Sequence, residues 1–285
     1  LEIDDFAPRM SFFFGCHNDF FEEISKFRAA RELWYELVNE RFNPQNPKSS
    51  QLRFHTQTAG VTLTAQQPMN NAVRVSYQAL SAVLGGTQSL HTNSYDEAIG
   101  LPTDESVKIA LRTQQIIASE TGVADVVDPL AGSYHVEEMT SSIKENARML
   151  INEIETKGGV LDCLKLGFQQ KMIHESAWKE IKDIEENSLL VVGVNCNIEE
   201  GGGLHLGMKI DSENENRQRS KLEQFKQTRD QEIVSESLEK LRDTCNGDEN
   251  IMPQLIEALK LGATVGEVNG IMREVFGTWV SPSGV

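Results

Sequence analysis

The chain has 285 residues, with 43 acidic against 27 basic side chains and a formal net charge of -16. That length is enough for a core and for two structural units. The acidic balance argues against a partner presenting a phosphate backbone, such as DNA, but a local basic pocket can still receive an anionic ester.

In chain order, Arg9-Met10-Ser11-Phe12-Phe13-Phe14-Gly15 is a short apolar run between Pro8 and Gly15, the pattern of a buried strand. The helix after it starts near Asn18 or Asp19, with Phe20, Ile24, Phe27, Trp34 and Val38 on one stripe and Glu22, Lys26, Arg28 and Glu32 on its outer face. Arg53 to Gly60 and Gln88 to Glu97 each begin like a strand, end in hydrogen-bonding side chains and a turn, and lead into a helix. Polar strand ends of this kind suit the carboxyl-edge mouth of a parallel β/α barrel or open α/β sheet, where ligands bind. The helix between them is predicted from about Pro68 to Leu84, with Val73, Tyr77, Leu80 and Leu84 inward and Gly85-Gly86 ending it. Thr103 is an N-cap, with Asp104 and Glu105 in the first turn. Repeated strand-loop-helix order makes a parallel sheet the economical reading.

The second half reads as mainly helical. Ile143, Ala147, Leu150, Ile151 and Ile154 form a stripe ended by Gly158-Gly159, and a helical stretch from Val160 to about Glu186 breaks near Gly167. Leu189 to Val194 reads as a strand, and Asn197 to Gln218 as a mobile connection. Leu222, Phe225, Arg229, Ile233 and Leu241 fit one long helix, and Thr264 to Glu267 is a capping box opening a last helix through Phe276. Cys16, Cys163, Cys196 and Cys245 form no CxxC pair and read as reduced thiols of a cytoplasmic protein. His135, His174 and His205 have no partner at metal-ligand spacing, and Gly201-Gly202-Gly203 lacks the Lys-Ser/Thr of a phosphate cradle, so no metal is expected. No apolar run is long enough to cross a bilayer, and no signal peptide is visible.

Pro8 to Phe14, Asn18 to Ile24, His55 to Gly60 and Gly85 to Asn93 together resemble the large subunit of adenosylcobalamin-dependent acyl-CoA mutases. Asp128-Pro129-Leu130-Ala131-Gly132-Ser133-Tyr134 and Val192-Gly193-Val194-Asn195 extend the resemblance over nearly the whole chain. It implies the last strands of a (β/α)8 barrel in residues 1–122, followed by a helical linker region in 123–285. The chain begins at Leu1 with what resembles the sixth strand, whereas a whole barrel takes about 250 residues. We therefore expect a portion of a subunit, inactive alone. Its partners would be a chain carrying the earlier strands and a cobalamin-binding subunit, since no Asp-x-His-x-x-Gly motif occurs here. The alternative is a non-catalytic piece that stabilises another chain.

The resemblance assigns Arg9, Ser11, Phe13, Lys48, His55, Gln88 and Ser89 to the CoA-ester channel, and Gln57, Gly60, Glu97 and Ala98 to the face toward the corrin of adenosylcobalamin. The residue types agree. Arg9 and Lys48 can meet phosphate, and His55, Gln88 and Ser89 can bond amides or the acyl group. Gly60 permits close approach of a flat ring, and Glu97 can accept from amides or ribose. Each also has a plainer reading: solvated charge for Lys48, strand packing for Ser11 and Phe13, a turn for Gly60, a helix-terminal carboxylate for Glu97. His91 fits a structural hydrogen bond as well as a site role. Val61 departs from the aromatic residue of many methylmalonyl-CoA mutases. The implied reaction is a 1,2-rearrangement of an acyl-CoA skeleton, with methylmalonyl-CoA, isobutyryl-CoA and 2-hydroxyisobutyryl-CoA all open, because the residues that select among them lie upstream in the family.

Overall fold

Alternate residues of three short strands decide the architecture. β1 (Phe12–Cys16), β2 (Phe54–Thr58) and β3 (Ser89–His91) pair in parallel in the order β1-β2-β3. Successive side chains of a strand point to opposite faces, so each strand splits its residues between two environments. One face holds Phe12, Phe14, Cys16, Phe54 and Leu90, which pack with Phe27, Ala30, Trp34 and Ala82 from the helices. The rings of Phe27 and Phe54 stack at 5.2 Å, and Phe14 meets both edge-on. Burying each such phenyl ring contributes roughly 2–3 kcal/mol. The other face is open: Phe13 is 64% exposed, and Gly15, Ser89 and His91 are exposed too.

The computed structural model describes residues 1–199 and 212–280. Most of the expected connection from Asn197 to Gln218, with the triglycine and His205, lies outside those residues. The chain divides into two compact units, Leu1–Lys209 and Ile210–Gly284.

In the first unit, the short α1 (Ile3–Phe6) precedes β1, and α2 (Phe20–Phe42) and α3 (Asn70–Leu84) connect the strands. Asp19 caps α2 by accepting from the Glu22 amide at 3.1 Å. At the end of α3 a Cβ on Gly85 would sit 2.5 Å from the Phe27 ring, and Gly86 turns with φ +83. The buried face of α3 is not the expected one. Val73 and Tyr77 are 56% and 41% exposed, while Asn71, Arg74, Val75, Gln78, Ala79 and Ala82 are buried. The inward stripe is rotated and half polar because its first turns face loop backbone that needs hydrogen-bond partners. Pro68 lies just before this helix.

α4 (Asp104–Glu120) starts at the expected cap, Thr103, in a capping box with Ser106. α5 (Tyr134–Thr156) then packs along α2 and covers part of the face that the sequence placed outward. Arg28 donates to Glu137 at 2.8 Å, Asp128 at 3.2 Å and Thr140 at 3.0 Å. Lys144 bridges Glu32 and Glu36, Arg148 bridges Glu36 and Glu40, and Arg41 meets Glu155. The charges turn inward because a second helix with complementary cations covers them. α6 (Val160–Lys165) and α7 (Phe168–Glu185) follow, separated at Gly167 with φ +72. Leu189 to Val194 is a turn rather than a strand. The Asn195 side chain accepts from the Val191 amide at 2.7 Å and donates to the Ile184 and Leu189 carbonyls, folding the segment on itself.

In the second unit, the expected single helix over Leu222 to Leu241 is two: α8 (Ser212–Thr228) and α9 (Gln231–Asn246). Asp230 takes an extended conformation between them and accepts from the Glu232 and Ile233 amides, and that N-cap competes with continuing the helix. α10 (Ile251–Lys260) and α11 (Val265–Phe276) close a core of Val234, Leu241, Cys245, Ala258, Ala263, Val268 and Ile271. Thr264 and Glu267 form the expected capping box, and Arg229 donates to both Glu267 oxygens, at 2.5 and 2.7 Å.

Two outcomes follow. Arg28→Met strands two carboxylates at the α2–α5 seam and should lower the unfolding free energy by about 1–3 kcal/mol in urea titration, more than Arg148→Met at its exposed end. The Arg229 guanidinium pulls the Glu267 carboxyl down to about 2 from its ordinary value. A depressed folded-state pKa contributes stability above the unfolded value and loses it as pH falls through the folded one. Wild type should therefore lose stability more steeply than Glu267→Gln between pH 5 and 2; equal slopes would refute the linkage.

Candidate functional site

The open face of the sheet brings together several of the residues expected at a site. Register aligns Phe13 with His55 and His55 with Ser89, and one step toward the carboxyl ends it aligns Gly15 with Gln57 and Gln57 with His91. In the first rung the His55 ring lies 5.0 Å from Phe13, and its Nδ1 is 2.5 Å from the Ser89 hydroxyl. At the amino edge, a 3-10 turn over Ala7–Arg9 packs against another over Pro47–Ser50, so Arg9 and Lys48 stand, both exposed, on neighbouring turns. Ser11 is exposed immediately before β1.

Along the strand direction the structure thus has exposed cations on the turns before the strands, a histidine–hydroxyl pair on the sheet, and amide and carboxylate groups toward the carboxyl ends. Gln88 stands apart from this arrangement. Its Oε1 accepts from the Phe54 amide at 2.7 Å and its Nε2 donates to the Gly86 carbonyl, extending the pairing of β2.

At the carboxyl edge Asn93 organises the site. It is 2% exposed, donates from Nδ2 to the Thr58 carbonyl at 2.7 Å, and accepts from Gln57 Nε2 at 2.9 Å. It closes the Gly85-to-Asn93 motif in the sequence, but only the bond to Gln57 gives it a role. Gly60 lies directly under Glu97: a Cβ there would fall 2.3 Å from the Glu97 Oε1 and 3.1 Å from Asn93 Nδ2. Ala98 and Val61 are exposed beside them, and Val61 leaves the rim without an aromatic side chain. Burial against these neighbours raises the Glu97 carboxyl above its ordinary value, with nearby Asp96 adding to the rise and His91 opposing it.

Neither Gln57 Oε1 nor the Glu97 carboxyl makes a hydrogen bond among the described residues. With the bare backbone of Gly60, they form an acceptor-lined ledge that fits a flat group bearing amide or hydroxyl donors. Among the described residues no cluster of three or more His, Cys, Asp or Glu could hold a metal ion, and no helix is long and apolar enough to cross a membrane. His135 packs its ring edge-on against Phe21 at 5.6 Å.

The family model described as "Methylmalonyl-CoA mutase" matches residues 1–278. The chain belongs to the methylmalonyl-CoA mutase family. It is 43% identical over 281 residues to the 2-hydroxyisobutanoyl-CoA mutase large subunit of Aquincola tertiaricarbonis, covering 98% of this chain and 50% of that protein. It is 42% identical to methylmalonyl-CoA mutase of Rhizobium meliloti, covering 99% of this chain and 40% of that protein, and 44% identical to the human mitochondrial enzyme, covering 97% and 37%. The chain therefore spans half or less of the length of these relatives. The three parallel strands and the helices after them agree with part of the expected (β/α)8 barrel and helical region.

Glu97 offers a direct check. A raised folded-state pKa gives a contribution to stability that is present below the unfolded value and lost as pH rises through the folded one. Carbon-detected NMR of the labelled carboxyl should show Glu97 titrating above the ordinary glutamate range, with Glu97→Gln removing that pH dependence. A midpoint at or below that range would contradict the desolvated ledge.

Proposed function

We propose that this chain supplies part of the catalytic large subunit of an adenosylcobalamin-dependent acyl-CoA mutase, an isomerase. The arrangement along the open face of the sheet carries the reading, supported by family membership. The CoA ester lies along the strands, its phosphates toward Arg9 and Lys48 and its pantetheine and acyl portions along Ser11, Phe13, His55 and Ser89, beside Gln88. Phe13 gives the chain an apolar wall. The His55–Ser89 pair can offer a donor to an amide or thioester oxygen.

Gln57, Gly60, Glu97 and Ala98 form the ledge that would hold the corrin and its adenosyl group, with the cobalt-ligating domain on another chain or on a segment outside this sequence. When bound, adenosylcobalamin supplies the radical chemistry of the 1,2-rearrangement. The residues here bind, orient and exclude water. The carboxyl of Glu97 offers acceptor oxygens at the ledge.

The remaining partners are a segment or chain carrying the other barrel strands and a cobalamin-binding subunit, in the cytoplasm. The substrate we favour is methylmalonyl-CoA. Isobutyryl-CoA and 2-hydroxyisobutyryl-CoA are the alternatives, since relatives with different printed activities are equally similar to this chain.

Reconstitution tests this. With the missing strands and a cobalamin-binding subunit, the assembly should isomerise one of these acyl-CoAs, and His55→Ala should lower kcat/KM at least about tenfold. The chain alone should show no turnover. Turnover by the chain alone, or an assembly inert toward all three esters, would sink the proposal; in the second case a stabilising, non-catalytic role takes its place.

A further inference from the structure

Two side chains on the buried face of α3 tie three loops together. Asn71 is fully buried. Its Nδ2 donates to the Thr64 carbonyl in the β2–α3 loop and to the Tyr95 carbonyl in the β3–α4 loop, both at 2.8 Å. Its Oδ1 accepts from the Thr64 amide at 3.1 Å and from Arg74 Nη1 at 2.7 Å. Arg74, 8% exposed, also donates from Nη1 to the Thr64 hydroxyl at 3.1 Å and from Nη2 to the Val192 carbonyl at 2.8 Å, in the turn after α7. Gln67 adds a second link to that turn by donating to the Asn197 carbonyl at 2.9 Å. All four polar capacities of the Asn71 amide are spent, the condition under which a buried polar group fixes one arrangement rather than several.

The two loops tied by Asn71 are those that bring Gly60 and Glu97 together. We infer that Asn71 and Arg74 are positioning residues: they set the separation of the β2–α3 and β3–α4 loops, hence the Gly60–Glu97 ledge, and they brace it against the Val191–Asn197 turn. Neither residue faces the open side of the sheet, so both act through the loops. The inference rests on the proposed function for what the ledge holds, and on geometry alone for the spacing.

The decisive variant is Asn71→Asp, which keeps the acceptor toward Arg74 and the Thr64 amide but replaces the donor to both carbonyls with a repelling oxygen. In the assembled mutase, adenosylcobalamin titrated by absorbance should bind Asn71→Asp at least about tenfold more weakly, while acyl-CoA affinity stays within about twofold, because the CoA positions lie elsewhere on the sheet. Gln67→Ala, which removes the half-buried second link, should show the same split at about threefold. Without cofactor, hydrogen exchange should accelerate together at the Thr62 and Leu63 amides and at the Glu97 and Ile99 amides, which now close the two loops.

Parallel loss of both ligands would mean general destabilisation and would overturn the inference. So would unchanged cobalamin affinity in both variants, or exchange rising in one loop only. If Asn71→Asp fails to assemble, the split in Gln67→Ala decides. Wild type that binds acyl-CoA but no adenosylcobalamin would bring down the proposed function and the ledge's purpose together, whereas wild type that binds both beside indifferent variants would bring down only the positioning role.

Discussion

Everything in the first unit depends on the two-residue alternation of three parallel strands. The register that sets Phe54 into the ring cluster with Phe14 and Phe27 is the same one that turns His55 and Gln57 to the open face. Core and site are therefore one constraint seen from two sides. A shift of one residue in β2 would bury His55 and Gln57 among phenyl rings and expose Phe54 and Thr56. The helices are subordinate to this choice: α2 and α3 cover the apolar face, and the loops leading into α3 and α4 rise from the carboxyl ends, where Gly60 and Glu97 meet.

The strong acidic excess has a structural use. Glu32, Glu36, Glu40 and Glu137 engage Arg28, Lys144 and Arg148 across the α2–α5 seam. Individually the exposed pairs contribute little, and their value lies in matching one helix to another at a fixed register. Several cations are thereby drawn into internal pairing, while Arg9 and Lys48 stand exposed on adjacent turns. A chain of net charge -16 can still offer an anion a local welcome there.

Much of this was legible in the sequence, because local signals sufficed. The position of β1 followed from an apolar run between Pro8 and Gly15, those of β2 and β3 from strand-like starts with polar ends that lead into helices, and the caps from Asp104 and Glu105 after Thr103 and from the spacing of Thr264 to Glu267. The readings that failed needed tertiary knowledge. Val73 and Tyr77 are apolar at helical spacing, yet polar Asn71, Arg74 and Gln78 take the interior because loop carbonyls and amides must be paired there. Leu189 to Val194 has strand composition, but Asn195 supplies the bonds that a neighbouring strand would have supplied. The outer face of α2 is partly covered by α5, and nothing local in the sequence announces that cover. At the site, the resemblance supplied His55, Gln57, Gly60 and Glu97, whereas Asn93 emerged only from its bond to Gln57.

The chemical composition of the two fastenings in this unit differs. The α2–α5 seam is built on carboxylates, and the cations facing Glu36 and Glu137 hold both below their ordinary values. The tie around Arg74 uses amide, hydroxyl and carbonyl oxygens, none of which gains a proton in that range. Acid therefore weakens the ion pairs along the α2–α5 seam, whereas the hydrogen bonds around Arg74 contain no member that takes up a proton.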